Sequence, residues 1–214
     1  RGNERKSRRS RSNERTGFNA WDVADPYVLS KYISELEAIA ANRDGMAVVC
    51  ANPAFPLGPG DIGPTPTGRI VRDILAGRMP FSVRGGLNVV DVRDVADGHL
   101  LAWKHGRAGH RYILGSENLE NRQLAKMICD AAGKRGPLLT MPTGPLLALG
   151  RVAEQVAERV TKRPPMLTER SVAYTAGRFL YFDTHKARQE LGYSPRPAAE
   201  AIASSVAWFQ GAGG

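Results

Sequence analysis

The chain has 214 residues, of which 42% are hydrophobic and 24% are charged, so it is long enough to bury one sizeable core or two small ones. Its two cysteines, Cys50 and Cys129, are far apart and belong to no Cys-x-x-Cys or Cys/His cluster. This pattern argues against a disulfide framework or a zinc site and fits a reducing cytoplasm. The longest apolar stretch, 145–160, is interrupted by charged residues, among them Arg151, Glu154 and Glu158, so we expect neither a membrane span nor a secretory signal.

The net charge of +9 is concentrated at the N-terminus. Residues 1–15 contain seven Arg or Lys and two Glu, so more than half of the excess lies there. A basic segment of this kind can bind nucleic acid through phosphate contacts, but no aromatic residue is interleaved that could stack on bases. We interpret residues 1–15 as a basic disordered tail, with nucleic-acid binding by this tail as the alternative hypothesis.

From Asp25 onward, helical and strand patterns alternate, which is typical of an α/β fold with a parallel sheet. Asp25 and Pro26 suit a helix start and Gly45 suits a helix stop. The next predicted elements are a buried strand over 47–54, a Pro/Gly-rich loop over 56–68, helical spacing at 70–75, a strand over 87–92 and a helix over 94–105. A second series follows, with strands over 111–114 and 138–141, helices over 119–132 and 145–160, a linker over 161–165, and helices near 185–191 and 198–209.

Tyr27 and Lys31 lie four residues apart on the first predicted helix, so their side chains share one face about one turn apart. A lysine ammonium within a few Å of a phenol stabilises the phenolate and suits Tyr27 for proton transfer with a substrate hydroxyl or carbonyl. A nicotinamide would exchange hydride at the adjacent carbon. The same spacing also occurs by chance, and the alternative is a packed tyrosine beside a solvated lysine.

The string at 58–63 (GPGDIG) matches the G-x-G-x-x-G pattern of dinucleotide-binding loops, but we reject it. The pattern has to open a helix whose N-terminal amides face the pyrophosphate. Pro59 has no amide hydrogen, and Pro64 and Pro66 prevent a regular helix directly after the last glycine. We interpret the string as the loop that leads into a substrate region, and no other such fingerprint occurs in the sequence.

The order of the flanking segments is more specific than the Tyr27–Lys31 spacing. The stretches DPYVLSKYISELEA, AVVCANPAFPLGPGD, PTGRIVRDILAGRMP and LNVVDVRDVADGHLLA are followed by RYILGSENL and by THKARQELGYSPRPAAEAIASSVAWF. As an ordered set they closely resemble the extended short-chain dehydrogenase/reductases, a family of NAD-dependent epimerases, dehydratases and reductases. Within it they are most similar to the hopanoid-associated sugar epimerases and then to the dihydroflavonol-reductase-like proteins. The resemblance covers nearly everything after Thr16.

The resemblance implies an α/β fold made of the C-terminal part of a Rossmann-like parallel sheet and a small α/β substrate-binding region. Residues 16–55 would be a remnant of the NAD(P)-binding Rossmann domain with the catalytic helix. Residues 56–214 would be mainly the substrate-binding region, with 87–107 returning to the Rossmann sheet. The Gly-rich phosphate-binding loop and the catalytic Ser/Thr of the family have no counterpart in the sequence, which implies an N-terminally truncated form.

Carried over residue by residue, the resemblance implies an NAD(P)-dependent oxidoreductase or epimerase with Tyr27 as its catalytic acid/base. Lys31 would bind the nicotinamide ribose hydroxyls and tune Tyr27. Asn52 matches an asparagine that helps bind substrate in sugar-nucleotide members, or it is a turn residue before a proline. Four residues match the turn that lies against the nicotinamide carboxamide of NAD or NADP: Pro53, Ala54, Phe55 and Pro56.

The strand before the third predicted helix departs from the sugar-nucleotide epimerases. Those enzymes usually carry an arginine and a histidine where this chain has Leu87 and Asp91, which argues against a nucleotide-diphosphate substrate. Arg84 and Arg93 are nearby and could serve an anionic substrate or lie solvated on the surface. Asp94 matches the aspartate that opens the helix, and we expect it to be the N-cap.

Two hypotheses follow for the chain. One is an enzyme that acts on a hydroxyl or carbonyl of a small molecule, with a sugar among the candidates. The other is a non-catalytic interaction module derived from the same fold. Because family members often dimerise through the tyrosine helix, the resemblance also implies a homodimer, and Ala38 and Ala41 would allow close approach of two such helices.

Overall fold

The computed structural model describes residues 11–18, 21, 26–136, 139–141 and 177–211. Its helices are α1 (Pro26–Ala40), α2 (Pro66–Leu75), α3 (Val92–His105), α4 (Asn121–Ala131), α5 (His185–Leu191) and α6 (Ala198–Gly211), with a 3-10 turn over Ala41–Asp44. Its strands are β1 (Cys50–Pro53), β2 (Phe55–Leu57), β3 (Phe81–Val83), β4 (Gly86–Asp91), β5 (Arg111–Leu114), β6 (Glu117–Glu120), β7 (Leu139–Met141) and β8 (Phe179–Leu180). The predicted helix at 145–160, the linker at 161–165 and residues 1–10 of the predicted tail lie outside the described residues.

Within the described ranges the strands form three sheets. β1 pairs in parallel with β5, and β3 pairs in parallel with β7. The largest sheet centres on β4, which has antiparallel β6 on one edge and parallel β2 and β8 on the other. Parallel strands need crossover connections, which the helices supply, and the predicted α/β class with parallel sheets is confirmed.

The strand predicted over 47–54 is two short strands in different sheets. β1 pairs with β5, and one residue later the chain enters β2, which pairs with β4. Ala54 still donates its N–H to Leu114 O at 2.9 Å, so the change of sheet is completed at the next residue. Pro53 and Pro56 lack the N–H that a continuous central strand would need. The predicted boundary between residues 55 and 56 lies inside β2, just after this change of sheet.

The resemblance implies that residues 87–107 return to the Rossmann sheet, the sheet that contains β1. The strand of this segment, β4, does not pair with β1 or β5. β4 lies in the larger sheet, and the strand that returns to β1 is β5, with Cys50 opposite Arg111. Only the helix of that segment, α3, packs on β1 and β5. The reason is that every residue of β4 is buried, which requires neighbours on both edges and both faces, and the larger sheet with its helices provides them.

Two apolar clusters hold the elements together. The larger lies between the β4 sheet and helices α2, α4 and α6, and Val71, Ile128 and Ile202 are among its fully buried members. The smaller lies between the β1–β5 sheet and helices α3 and α5, around Tyr112 and Leu114. α1 contributes no buried residue to either cluster.

The described end of the predicted disordered tail is paired with the rest of the chain. Ser12 N–H donates to Tyr181 O at 2.9 Å, and Asp183 N–H donates to Ser12 O at 2.9 Å. The Glu14 carboxylate accepts the N–H of Ile113 in β5 at 3.0 Å. The prediction of disorder is therefore wrong for residues 11–15, because hydrogen bonds order a segment that has few apolar groups to bury.

The second predicted series differs from the structure at its boundaries. β6 occupies 117–120, so α4 begins at Asn121 rather than at 119. The two last helices are found at His185–Leu191 and Ala198–Gly211. No helix in the described part of the chain has the length and apolar character needed to cross a membrane.

Asp91, not Asp94, caps α3. The fully buried Asp91 carboxylate accepts the Arg93 N–H and Nε, each at 2.8 Å. Burial raises the pKa of Asp91, but the hydrogen bonds and charge of Arg93 outweigh burial and leave that pKa below its usual value. Asp94 is buried too, and it is bound by the backbone N–H and guanidinium of Arg196. The N-cap prediction for Asp94 is therefore wrong, because the helix begins two residues earlier, at Val92.

The Asp91–Arg93 pair should give the fold a pH-dependent stability. Because the folded state lowers the pKa of Asp91, the pair stabilises the fold above the unfolded value of about 3.9 and loses its effect as the pH falls through the lower folded value. At pH 7 we expect Asp91→Asn to lower the free energy of unfolding by about 1 kcal/mol, a modest value because Arg93 is half-exposed. The difference from the unsubstituted chain should shrink below about pH 4.

Urea denaturation between neutral and acidic pH measures this difference. Asp97→Asn is the matched control, since Asp97 is exposed on the same helix. A stability difference for Asp91→Asn that stays constant down to the acid limit would contradict the pairing.

Candidate active site

α1 presents Tyr27 and Lys31 on an open face. Pro26 supplies the first helical residue, where a missing N–H has no cost. Tyr27 is 67% exposed, and Lys31 Nζ lies 5.6 Å from the centroid of the Tyr27 ring. The four-residue spacing thus brings the two side chains together at a cation–π distance.

The pair places a positive charge next to a phenol while both groups stay accessible. Lys31 forms no ion pair with any carboxylate in the described part of the chain, so no described carboxylate occupies its ammonium hydrogens. Chemically, the pair can exchange a proton at the phenol oxygen and donate hydrogen bonds to hydroxyl groups.

Alternate residues of the β1 segment face different helices. Val49 and Ala51 pack in the cluster that α3 and α5 share. Asn52 points the other way, and its amide nitrogen donates to Glu35 of α1. This is the period of two of a strand, so α1 covers one face of the β1–β5 sheet and α3 covers the other.

Glu35 joins α1 to both strands of that sheet. Besides Asn52 of β1, it binds the guanidinium of Arg111 in β5, 76 residues away in sequence. The Glu35 side chain is 16% exposed and that of Arg111 is 33% exposed. The sequence patterns pointed to neither residue. The available signal is that Glu35 follows Lys31 by four residues and so lies on the same side of α1.

Cys50 lies on the same face of β1 as Asn52. Burial raises the pKa of its thiol, the negative charge of Glu35 raises it further, and Arg111 acts in the opposite direction. The thiol is free and is kept in its neutral form at neutral pH. Since the thiolate is the reactive form of cysteine, Cys50 is not suited to act as a nucleophile.

The turn Pro53–Pro56 begins at the carboxyl end of β1. Pro53 is exposed and Ala54 is half-buried, whereas Phe55 packs against the larger core and pairs with Val89 of β4. The first two residues are therefore open to a ligand, and the last two belong to the second sheet. In the described ranges, no hydrogen bond joins the turn to Tyr27 or Lys31, and the polar link between β1 and α1 runs through Asn52 and Glu35.

The residues that depart from the sugar-nucleotide epimerases have structural roles here. Leu87 is part of the larger core. Asp91 caps α3 and holds Arg93, whose pKa it raises by hydrogen bonding and charge. Arg84 is exposed. Neither Leu87 nor Asp91 offers a cation to a ligand.

The described residues offer neither a phosphate-binding glycine loop nor a metal site. The glycine string at 58–63 opens no helix, since α2 begins at Pro66 with Thr65 as its N-cap. Its glycines therefore present no row of helical amides to a phosphate. No group of His, Cys, Asp or Glu side chains within the described ranges could hold a metal ion.

Comparison with known proteins gives consistent matches. Residues 5–115 match the model of the NAD dependent epimerase/dehydratase family. The chain is 40% identical over 191 residues to a putative dihydroflavonol 4-reductase of Synechocystis sp., an alignment that covers 87% of this chain and 55% of that protein. The chain thus spans about half the length of this relative.

Solved structures show the same fold. The crystal structure of gox2253 is 37% identical, has a TM-score of 0.79, and matches 97% of this chain and 63% of its own. PA4631, a nucleoside-diphosphate-sugar epimerase from Pseudomonas aeruginosa, is 30% identical, has a TM-score of 0.75, and matches 95% of this chain and 62% of its own. The family model matches more than half of the residues of this chain. The chain therefore belongs to the NAD dependent epimerase/dehydratase family.

Proposed function

We propose that the protein is an NAD(P)-dependent oxidoreductase or epimerase that acts on a hydroxyl or carbonyl of a small molecule, with Tyr27 as the acid/base. The observation that carries the proposal is the position of Lys31 Nζ, 5.6 Å from the Tyr27 ring centroid, on the exposed face of α1. An accessible phenol beside a cation can exchange a proton with a substrate oxygen. Membership of the NAD dependent epimerase/dehydratase family supports the nicotinamide cofactor.

The described residues fit the nicotinamide end of NAD or NADP. Lys31 has its ammonium hydrogens available for ribose hydroxyls, as the resemblance implies. Pro53 and Ala54 lie at the carboxyl end of β1, the side of a parallel sheet at which α/β proteins bind ligands. The cofactor would supply hydride exchange at the substrate carbon, while Tyr27 gives or takes the proton on the oxygen. We assign the diphosphate end to no residue of this chain, since the 58–63 string opens no helix.

The substrate class follows from the charges around the site. Leu87 is buried in the core and Asp91 is paired with Arg93, so neither position offers a cation to a nucleotide diphosphate. We infer a small hydroxyl- or carbonyl-bearing substrate without a diphosphate, with a free sugar as one candidate. The relative named as a putative dihydroflavonol 4-reductase agrees with this class, whereas the neighbour named as a nucleoside-diphosphate-sugar epimerase differs from it.

Removal of the phenol hydroxyl should abolish most of the activity. Tyr27→Phe should lower turnover by about a hundredfold or more, the usual contribution of a general acid or base. Turnover is followed by NAD(P)H absorbance with a panel of sugars and hydroxyketones. The enzyme is this chain joined to the part of the Synechocystis relative that it does not span.

Tyr32→Phe is the matched control for that experiment. Tyr32 lies on the same helix and stacks on Phe18 with 4.5 Å between ring centroids, so the variant loses a hydroxyl outside the proposed site. Turnover of Tyr27→Phe equal to that of Tyr32→Phe would remove Tyr27 from the mechanism.

Loss of the Lys31 charge should weaken cofactor binding. Lys31→Met should raise the dissociation constant about tenfold or more, because charged hydrogen bonds to the ribose hydroxyls are lost. Fluorescence titration of the same chimaera with NADH and NADPH measures this and shows which cofactor binds more tightly. Lys104→Met, exposed near the end of α3, controls for loss of a positive charge alone. An unchanged dissociation constant would leave Lys31 only its electrostatic effect on Tyr27.

Exposed apolar side chains on α1 favour a second candidate, an interaction module. Ile33 is 51% exposed and Leu36 is 47% exposed. A helix with exposed apolar side chains and no fully buried residue is suited to a partner, and in the homodimer implied by the family the partner is a second copy. For this chain alone, self-association in sedimentation without saturable NADH binding would favour the interaction module over the enzyme.

A further inference from the structure

The Glu35 carboxylate lies at the junction of α1, β1 and β5. Oε2 accepts the Asn52 amide, and Oε1 binds the Arg111 guanidinium. At 16% exposure the carboxylate is largely shielded from water, and Arg111 provides the opposite charge that a shielded carboxylate requires. Glu35 therefore contacts a residue of the proposed site without reaching the reacting pair itself.

This contact fixes the direction of the Asn52 amide. An ionised carboxylate only accepts hydrogen bonds, so the atom of Asn52 that faces Glu35 is the NH2 nitrogen. The amide oxygen Oδ1 accepts no hydrogen bond from any residue that the structure describes, and it is not among the buried unpartnered atoms. Among the described residues, Asn52 thus leaves its acceptor unpaired and holds its donor against α1.

We propose that Glu35 is a positioning residue that sets the polarity of Asn52, so that Asn52 Oδ1 accepts a hydroxyl of the substrate. The proposal deepens the function proposed above and rests on it for the identity of the bound molecule. A substrate oxygen that can only accept, such as an ether or a carbonyl, would face the lone pairs of Oδ1 and leave both acceptors unpaired. The site therefore favours molecules with a free hydroxyl at the position next to Asn52.

A purely structural role for Glu35 leads to a different expectation. If Glu35 only fastened α1 to the sheet, Glu35→Gln would preserve function, because the two side chains have the same shape. In that variant, however, Arg111 can bind only the glutamine oxygen, which turns the glutamine NH2 towards Asn52. The Asn52 amide then rotates to offer its oxygen inward, and its donor faces outward. The substitution inverts the polarity of Asn52 with little change in shape.

The orientation can be measured directly by NMR on the isotope-labelled chain. The Asn52 NH2 protons, identified by their loss in Asn52→Asp, should exchange with water roughly tenfold more slowly in the unsubstituted chain than in Glu35→Gln, where they face solvent. Glu37→Gln, a substitution at an exposed position of the same helix, should behave like the unsubstituted chain. Equal exchange in Glu35→Gln and the unsubstituted chain would overturn the proposal.

Alkylation of Cys50 tests the position of the carboxylate independently. Burial and then the charge of Glu35 raise the pKa of the Cys50 thiol, so Glu35→Gln should lower that pKa and Glu37→Gln should not. Iodoacetamide rates against pH in a Cys129→Ser background provide the measurement. A Cys50 pKa that Glu35→Gln leaves unchanged would place the carboxylate away from β1 and also overturn the proposal.

The KM and kcat of Glu35→Gln and of the control Glu37→Gln are compared in the same chimaera that tests Tyr27→Phe. Glu35→Gln should raise the KM of a hydroxyl-bearing substrate about tenfold and change kcat by less than about threefold, because Asn52 binds and does not react. In one outcome, turnover falls in Tyr27→Phe, and the KM of Glu35→Gln equals the KM of the control Glu37→Gln. The positioning proposal then fails and the proposed function stands. If Tyr27→Phe keeps its turnover, the proposed function fails, and the exchange of the Asn52 protons still decides the orientation of the amide.

Discussion

The arrangement of the sheets depends on one constraint: Pro53 and Pro56 have no N–H to donate to a continuing strand. It ends β1 after four residues, and the chain continues in the neighbouring sheet as β2. A second crossing between the two sheets, from β5 to β6, is also short, since only Gly115 and Ser116 separate these strands. There the fully buried Asn88 of β4 accepts the Ser116 N–H at 3.0 Å and donates to Asn118 at 2.8 Å. Because its donor and acceptor are both paired, this polar side chain can be buried where the sheets meet.

These crossings determine how α1 is attached. The β1–β5 sheet is narrow, and its α3 face carries the apolar cluster, so the α1 face is left with polar contacts. At one of them Glu35 binds both strands, and at the end of the helix Asn42 accepts the Val48 N–H at 3.0 Å. α1 is therefore located by directional hydrogen bonds more than by packing. Its first turns, with Tyr27 and Lys31, stay accessible, which the proposed site for a cofactor and a substrate requires.

Local patterns in the sequence predicted much of the fold because they depend on near neighbours. The Tyr27–Lys31 contact follows from helical periodicity, and β5 follows from a short apolar run between turn residues. Patterns could not assign the strands to sheets, since periodicity over 47–54 is the same whether the run pairs with one partner or two. Asp91 and Asp94 are equally good cap residues by type, and only the position at which β4 ends decides between them.

The part of the site that sequence patterns missed depends on distant contacts. Glu35 and Arg111 are 76 residues apart, and no local rule connects a glutamate on a helix with an arginine at the start of a strand. The resemblance indicated Asn52 but not the direction of its amide. That direction depends on the acceptor it meets on α1, which only the folded chain supplies.

The Glu14–Ile113 hydrogen bond has a consequence for how copies of the chain can associate. The outer side of β5 is a sheet edge, and an open row of N–H and C=O groups invites a strand from another molecule, which is a route to fibrous aggregation. Here the Ile113 N–H is already taken by a carboxylate at 3.0 Å, and a negative charge held at an edge repels an incoming backbone carbonyl. β-sheet extension through β5 is thereby disfavoured at Ile113.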